Sequence, residues 1–212
     1  MPKITDLKIQ KSNKARANLY LDGEFAFGVE ILTVMKLGLK IGQEVTEEKL
    51  REAIFDSEKS VAFEKAMDYL GRGMKTSRQM RDYLSKKGYT PQVTEYVVKK
   101  LQEYKYLDDV AYAKIYVEQN SKTKGSRRLL QELQNKGISR EKAEEFSQLD
   151  SDVAFDAARA LAVKYLKNKP DDVKTAQKLQ RYLLGRGYGY ETVNSVLRSC
   201  RNGDLYEGEN DD

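Results

Sequence analysis

No histidine occurs among the 212 residues, and that one absence removes whole reaction classes. Ser-His-Asp and Cys-His catalysis both need an imidazole, and most zinc sites use one. Cysteine is nearly absent as well. Cys200 stands alone, so it has no partner for an internal disulfide, which fits a reducing compartment. It reads as a helix-buried thiol rather than a nucleophile. No apolar run approaches the roughly 20 residues that span a bilayer, and Met1-Pro2-Lys3-Ile4-Thr5-Asp6 lacks the apolar stretch of a secretory leader. A cytoplasmic address without membrane attachment is expected. Carboxylates are plentiful, but none falls in a metal-loop spacing such as the EF-hand pattern. The reading is therefore no metal, no cofactor and no enzyme.

What is present is charge, 33% of residues, with a net +5. The charge is polarised. Residues 203–212 hold Asp204, Glu207, Glu209, Asp211 and Asp212 and no base, so the remainder of the chain carries +10. A basic body with an acidic tail points to a polyanionic partner, and the tail reads either as a competitor for the basic surface or as a solubilising disordered segment.

A repeat organises most of the chain. Val61-Ala62-Phe63, Val110-Ala111-Tyr112 and Val153-Ala154-Phe155 open three segments. Each is followed by Leu-x-x-Lys/Arg-Gly-apolar, ending at Gly88-Tyr89, Gly137-Ile138 and Gly187-Tyr188. The Val-to-Gly spacing is 27, 27 and 34 residues, and the extra seven are placed in a loop around Lys167 to Asp171. Two motifs in the same order three times are specific where either alone is weak. Each copy reads as three helices. Met80, Tyr83 and Leu84 define the inner face of the second helix in copy one, with Leu129, Glu132 and Leu133 and then Leu179, Tyr182 and Leu183 in register. Thr76 to Gln79 resembles a capping box, the Gly stops the helix, and Thr90-Pro91 starts the third helix, which turns Val93, Val97 and Leu101 inward.

Residues 1–59 differ. Ala17, Leu19 and Leu21 alternate, Phe25 and Phe27 continue the alternation, and Asp22-Gly23 between them signals a type I′ hairpin. Lys3 to Gln10 adds a possible third strand, Val29 to Lys36 a short helix, and Thr46 to Phe55 a helical link; tight fusion to the repeats and a flexible tether both fit. The predicted architecture is mainly α: a β-hairpin-containing domain (1–59), three-helix repeats at 60–107, 108–149 and 150–202 in an elongated or curved body, and the acidic disordered tail (203–212).

Basic residues cluster at the starts of the second helices. Lys75, Arg78 and Arg81 lie on the outer side of that helix in copy one with Arg72 and Lys86 nearby, and Lys122, Lys124, Arg127 and Arg128 lie at the start in copy two. Helix starts offer free N–H groups, and cationic side chains beside them suit phosphate. These nine residues are the candidate DNA- or partner-contacting set; an ordinary solvated face is the alternative. Tyr83, Tyr89, Tyr182 and Tyr188 occupy apolar repeat positions and read as core. Tyr104, Tyr106, Tyr116 and Tyr190 are open to base stacking or partner binding. Gly71-Arg72-Gly73 and Gly185-Arg186-Gly187 follow no strand and do not complete a dinucleotide-binding fingerprint.

Several spaced elements resemble a known family. Leu107-Asp108-Asp109, Ala111-Tyr112-Ala113, Lys124-Gly125-Ser126-Arg127-Arg128 and Glu132-Leu133 through Lys136-Gly137-Ile138 resemble the central signature of the RecX family of regulatory proteins. Tyr69-Leu70 through Arg72, Ser77-Arg78 and Leu84 through Lys87-Gly88 resemble its first-repeat counterpart. The likeness covers roughly residues 60–200, and the N-terminal extension resembles that of longer members. It implies tandem three-helix repeats and a monomeric, non-enzymatic modulator that binds the RecA filament and single- and double-stranded DNA, limiting RecA ATPase and strand exchange. By position, Asp108, Tyr112, Gly125 and Gly137 carry over as structural and the arginines as contacts. Met74 departs from the pattern where members often have a second Arg. A general nucleic-acid binder without RecA dependence is the second reading.

Overall fold

A computed structural model describes residues 1–11 and 13–202, the last two by backbone alone. The acidic tail at 203–212 lies outside the described residues. The described residues form ten helices and one three-stranded sheet. The chain divides into two compact units, Met1–Asp108 and Asp109–Asp212.

The first unit opens with strands β1 (Ile4–Ile9), β2 (Arg16–Leu21) and β3 (Glu24–Glu30), antiparallel in the order β1-β2-β3. Asp22 and Gly23 join β2 to β3 at φ 48° and 92°, the two positive angles a type I′ turn requires. Ala17, Leu19, Leu21 and Phe27 are buried, as the alternation predicts, but Phe25 is 60% exposed. A bulge explains it. Leu19 pairs with Phe27 while Tyr20 pairs with Phe25, so one extra β3 residue turns Phe25 to the outer face, where its ring meets Tyr20 edge-on at 6.0 Å.

Helix α1 (Ile31–Lys36) leads to α2 (Glu47–Leu70). The helical link and the first helix of repeat one, read separately in the sequence, are one helix of 24 residues. Thr46 sits at its N-cap without a side-chain cap bond, and Glu47 and Glu48 occupy the first turn, where carboxylates complement the helix dipole. Repeat one is completed by α3 (Ser77–Lys86) and α4 (Pro91–Glu103). The capping box at Thr76 is formed, and the Thr90 side chain accepts from the Val93 amide, with Pro91 in the first turn.

The second unit holds α5 (Asp109–Asn120), α6 (Ser126–Asn135) and α7 (Arg140–Ser147), then α8 (Ser151–Leu166), α9 (Val173–Gly185) and α10 (Tyr190–Asn202). The longer third copy departs from the sequence reading. The loop at 167–172 is short; α8 has 16 residues against 12 in α5, and α9 has 13 against 10 in α6. The additional residues mostly lengthen helices.

The shared signature has a physical basis. After α3, α6 and α9 the glycines at 88, 137 and 187 take φ of 89°, 91° and 89°. The next amide in each case (Tyr89, Ile138, Tyr188) donates back to Leu84, Leu133 or Leu183 at 3.1–3.3 Å. This is the Schellman closure, in which an apolar residue beyond the glycine packs against the leucine. All six residues of these pairs are buried. The first helices pack through small residues: Ala62 and Ala66, Ala113, and Ala158 and Ala162 are all fully buried, which lets the helix backbones approach closely.

Candidate nucleic-acid interface

In the first unit the nine-residue set begins to separate. Arg72, Arg78 and Lys86 are exposed, and none has an ion-pair partner among the described residues. Lys75 folds back instead, its Nζ donating to the carbonyls of Gly73 and Met74 at 2.9 and 3.3 Å and lying 5.0 Å from the Tyr69 ring. Arg81 reaches Glu95 on α4 through two bonds, Nε to Oε1 at 2.7 Å and Nη2 to Oε2 at 3.1 Å, and that bond holds the Glu95 carboxyl below its ordinary range. The start of α3 is not a set of open N–H groups: the Gln79 amide already donates to Thr76 Oγ1.

In the second unit the correction is larger. Gly125 N donates to the carbonyl of Arg186 at 3.0 Å and Arg127 N to that of Gly187 at 3.2 Å. The positive start of α6 is thus met by the carbonyl-rich end of α9, opposite poles of two helix dipoles, and these amides are not available to phosphate. Gly125 and Gly187 are both buried, and a Cβ on either would collide with the backbone of the other segment. Lys124 and Arg128 close on one carboxylate, Glu132, at 2.6 and 3.0 Å, and Arg128 also donates to the Gly185 carbonyl. Burial alone would push the Glu132 carboxyl up; bonds from Lys124, Tyr116 and Arg128 outweigh it and bring it down to about 2. Lys122 and Arg127 remain exposed, Arg127 with its guanidinium 5.6 Å from the Tyr190 ring centroid.

The tyrosines divide similarly. Tyr89 and Tyr188 are buried. Tyr83 and Tyr182 are partly buried and stack on Tyr69 and Tyr165 at 4.1 and 4.9 Å. Tyr116, read as open to ligands, is half-buried and donates to Glu132, so it is structural. Tyr104, Tyr106 and Tyr190 are more than half exposed. Cys200 packs against the core of repeat three, and burial pushes its thiol up, away from the nucleophilic thiolate.

One cluster escaped the sequence reading. Arg16, at the start of β2, is 1% exposed. Its Nη2 donates to the carbonyls of Gly28 and Gly88 at 2.6 and 2.7 Å and to Glu58 at 3.3 Å, and its Nη1 to Glu30 at 3.5 Å. Glu58 also accepts from the Glu30 amide at 2.7 Å. Glu30 accepts from Lys65 at 2.6 Å and from Tyr89 Oη at 2.7 Å. Burial pushes the Glu58 carboxyl up despite Arg16. In Glu30 burial is outweighed by the bonds from Lys65 and Tyr89, and the carboxyl lies below its usual range. The cluster joins sheet, α2 and the end of α3, so tight fusion, not a flexible tether, describes the first unit. A lone Arg in a strand carries no periodic signal that would have marked it.

Among the described residues no group of three or more Cys, Asp or Glu side chains could hold a metal ion, and no helix is long and apolar enough to cross a membrane.

Comparisons with known proteins cover nearly the whole chain. Residues 2–46 match the family profile described as the regulatory protein RecX N-terminal domain, and residues 62–101, 108–145 and 152–197 match the first, second and third RecX three-helix domains. A regulatory protein RecX of Clostridium botulinum (strain Eklund 17B) is 35% identical over 98% of this chain and 100% of its own length. One of Bacillus licheniformis is 33% identical over 100% of this chain and 80% of its own. A crystal structure of regulatory protein RecX superposes with a TM-score of 0.62 at 28% identity, covering 92% of this chain and 98% of that one.

Proposed function

Because the chain belongs to the RecX family of regulatory proteins, we propose that it is a non-enzymatic regulator that binds RecA filaments and DNA and restrains RecA ATPase and strand exchange. The observation that supports this most is the sorting of its cations. Arg72, Arg78 and Lys86 in repeat one and Lys122 and Arg127 in repeat two are exposed, whereas Lys124, Arg128 and Arg81 are neutralised by Glu132 and Glu95. Exposed cations without acidic partners keep their full attraction for phosphate, and contact through them releases counterions, so binding falls steeply with salt. Acting on a filament in the cytoplasm requires no cofactor and no catalytic group.

The test is RecA-driven ATP hydrolysis on single-stranded DNA, titrated with the full-length protein. A fall in rate as the ratio approaches stoichiometric is expected, and an unchanged rate would overturn the proposal. The second reading, general nucleic-acid binding, is favoured if isotherms on the same DNA are identical with and without RecA.

A further inference from the structure

Arg127 stands apart from the other cations at the start of α6. Lys124 and Arg128 are held by Glu132, while the Arg127 guanidinium lies over the ring of Tyr190 at 5.6 Å. The two residues come from different repeats and meet because Gly125 and Gly187 let the backbones touch. Tyr190 is 58% exposed, so much of a flat aromatic surface faces water beside a fixed positive charge. The seam also removes the negative pole that would oppose an anion there. The carbonyls of Gly185, the last residue of α9, and of Arg186 and Gly187 just beyond it are taken by the Arg128 side chain, Gly125 N and Arg127 N. Along α10, Tyr190, Asn194 and Arg198 follow at i, i+4 and i+8 and all are exposed, while Val193 and Val196 are fully buried. Residues four apart on a helix lie about 6 Å apart along its axis on one side, a step close to that between nucleotides of an extended strand.

We propose that this seam is a subsite for single-stranded nucleic acid: a base stacks on Tyr190, Arg127 takes the adjoining phosphate, and Asn194 and Arg198 carry the strand along α10. The pairing of a π-face with a cation is the combination by which single strands are held without sequence preference. A duplex fits poorly, because its base faces are already covered by their neighbours. The subsite rests on the proposal that the protein binds nucleic acid and adds where a base would sit.

The test uses the full-length protein and fluorescence anisotropy with labelled oligothymidylate and a matched abasic backbone. Tyr190→Ala is expected to bind oligothymidylate about tenfold more weakly, with Tyr190→Phe close to the parent and neither changing affinity for the abasic strand. Arg127→Gln is expected to weaken both strands and to lower the salt slope by about 1. Equal affinity of Tyr190→Ala and parent for oligothymidylate overturns the subsite, as does an equal loss on the abasic strand. A loss confined to recombinase-coated strands assigns Tyr190 to a protein contact and also overturns it. If the parent binds neither strand, nucleic-acid binding itself fails and takes the subsite with it.

Discussion

Replacing Arg16 with Met keeps most of the buried volume and removes the charge. Four acceptors then lose a donor: the carbonyls of Gly28 and Gly88 and the carboxylates of Glu30 and Glu58. Glu30 retains Lys65 and Tyr89, but Glu58 is fully buried and keeps only the Glu30 amide. Removing one partner of a buried ion pair costs about 3–5 kcal/mol, a large share of the roughly 5–15 kcal/mol that holds a domain folded. Amide hydrogen exchange in β2, β3 and α3 should accelerate sharply in Arg16→Met, alongside a lower thermal midpoint. The pH dependence identifies the cause. Glu58 is already raised above its ordinary value, and without Arg16 it rises further. The folded state then binds a proton that the unfolded state releases, so the variant is least impaired below pH 4.5 and loses stability as pH rises through the raised folded value. Adding Glu58→Gln should restore part of the loss at neutral pH. A loss below about 1 kcal/mol, or one identical at pH 5 and pH 8, would refute the argument that an uncompensated carboxylate is responsible.

Glu132→Gln should act in two directions. It releases Lys124 and Arg128, so DNA affinity and the salt slope are expected to increase in binding isotherms. It also removes a carboxylate held at about 2, which contributes stability above pH 4.5 that fades as pH falls toward 2; the acid limb of a denaturation profile should flatten. Gly88→Ala and Gly23→Ala both place a side chain at positive φ, 89° and 92°, at about 1–2 kcal/mol each. Only at Gly88 would the new Cβ meet a neighbour, Arg16 Nε at 2.8 Å, so thermal denaturation should show the larger loss there, and equal losses would contradict the tight approach.

Local chemistry made the repeated parts of the fold legible in the sequence. The Asp22-Gly23 turn, the capping box at Thr76 and the three helix-ending glycines each demand a backbone geometry that few residues supply, so their identity reveals their conformation. The outward turn of Phe25 was hidden because a bulge breaks the period-two pattern without leaving a residue type as its mark. The candidate site was legible as a set of cations but not as a surface. Arg81 and Glu95 lie 14 residues apart, and Lys124 and Glu132 eight, so only folding decides which charges cancel. The same holds for the seam: Arg127 and Tyr190 are separated by more than a whole repeat, and nothing local ties them.

After α3 and after α9 the left-handed turn leaves the glycine carbonyl bonded outside its own repeat. Arg16 binds that oxygen at Gly88, and the α6 amide binds it at Gly187. One is a side chain from a sheet, the other a backbone group from a helix. The turn therefore behaves as a connector that requires only a hydrogen-bond donor and is indifferent to the fold that supplies it. Such a joint separates the interior of a repeat from its attachments. The tyrosine stacks of Tyr83 and Tyr182 could give way to the ionic cluster of Glu132 without any change in how units are joined, leaving each repeat's exposed face free to specialise.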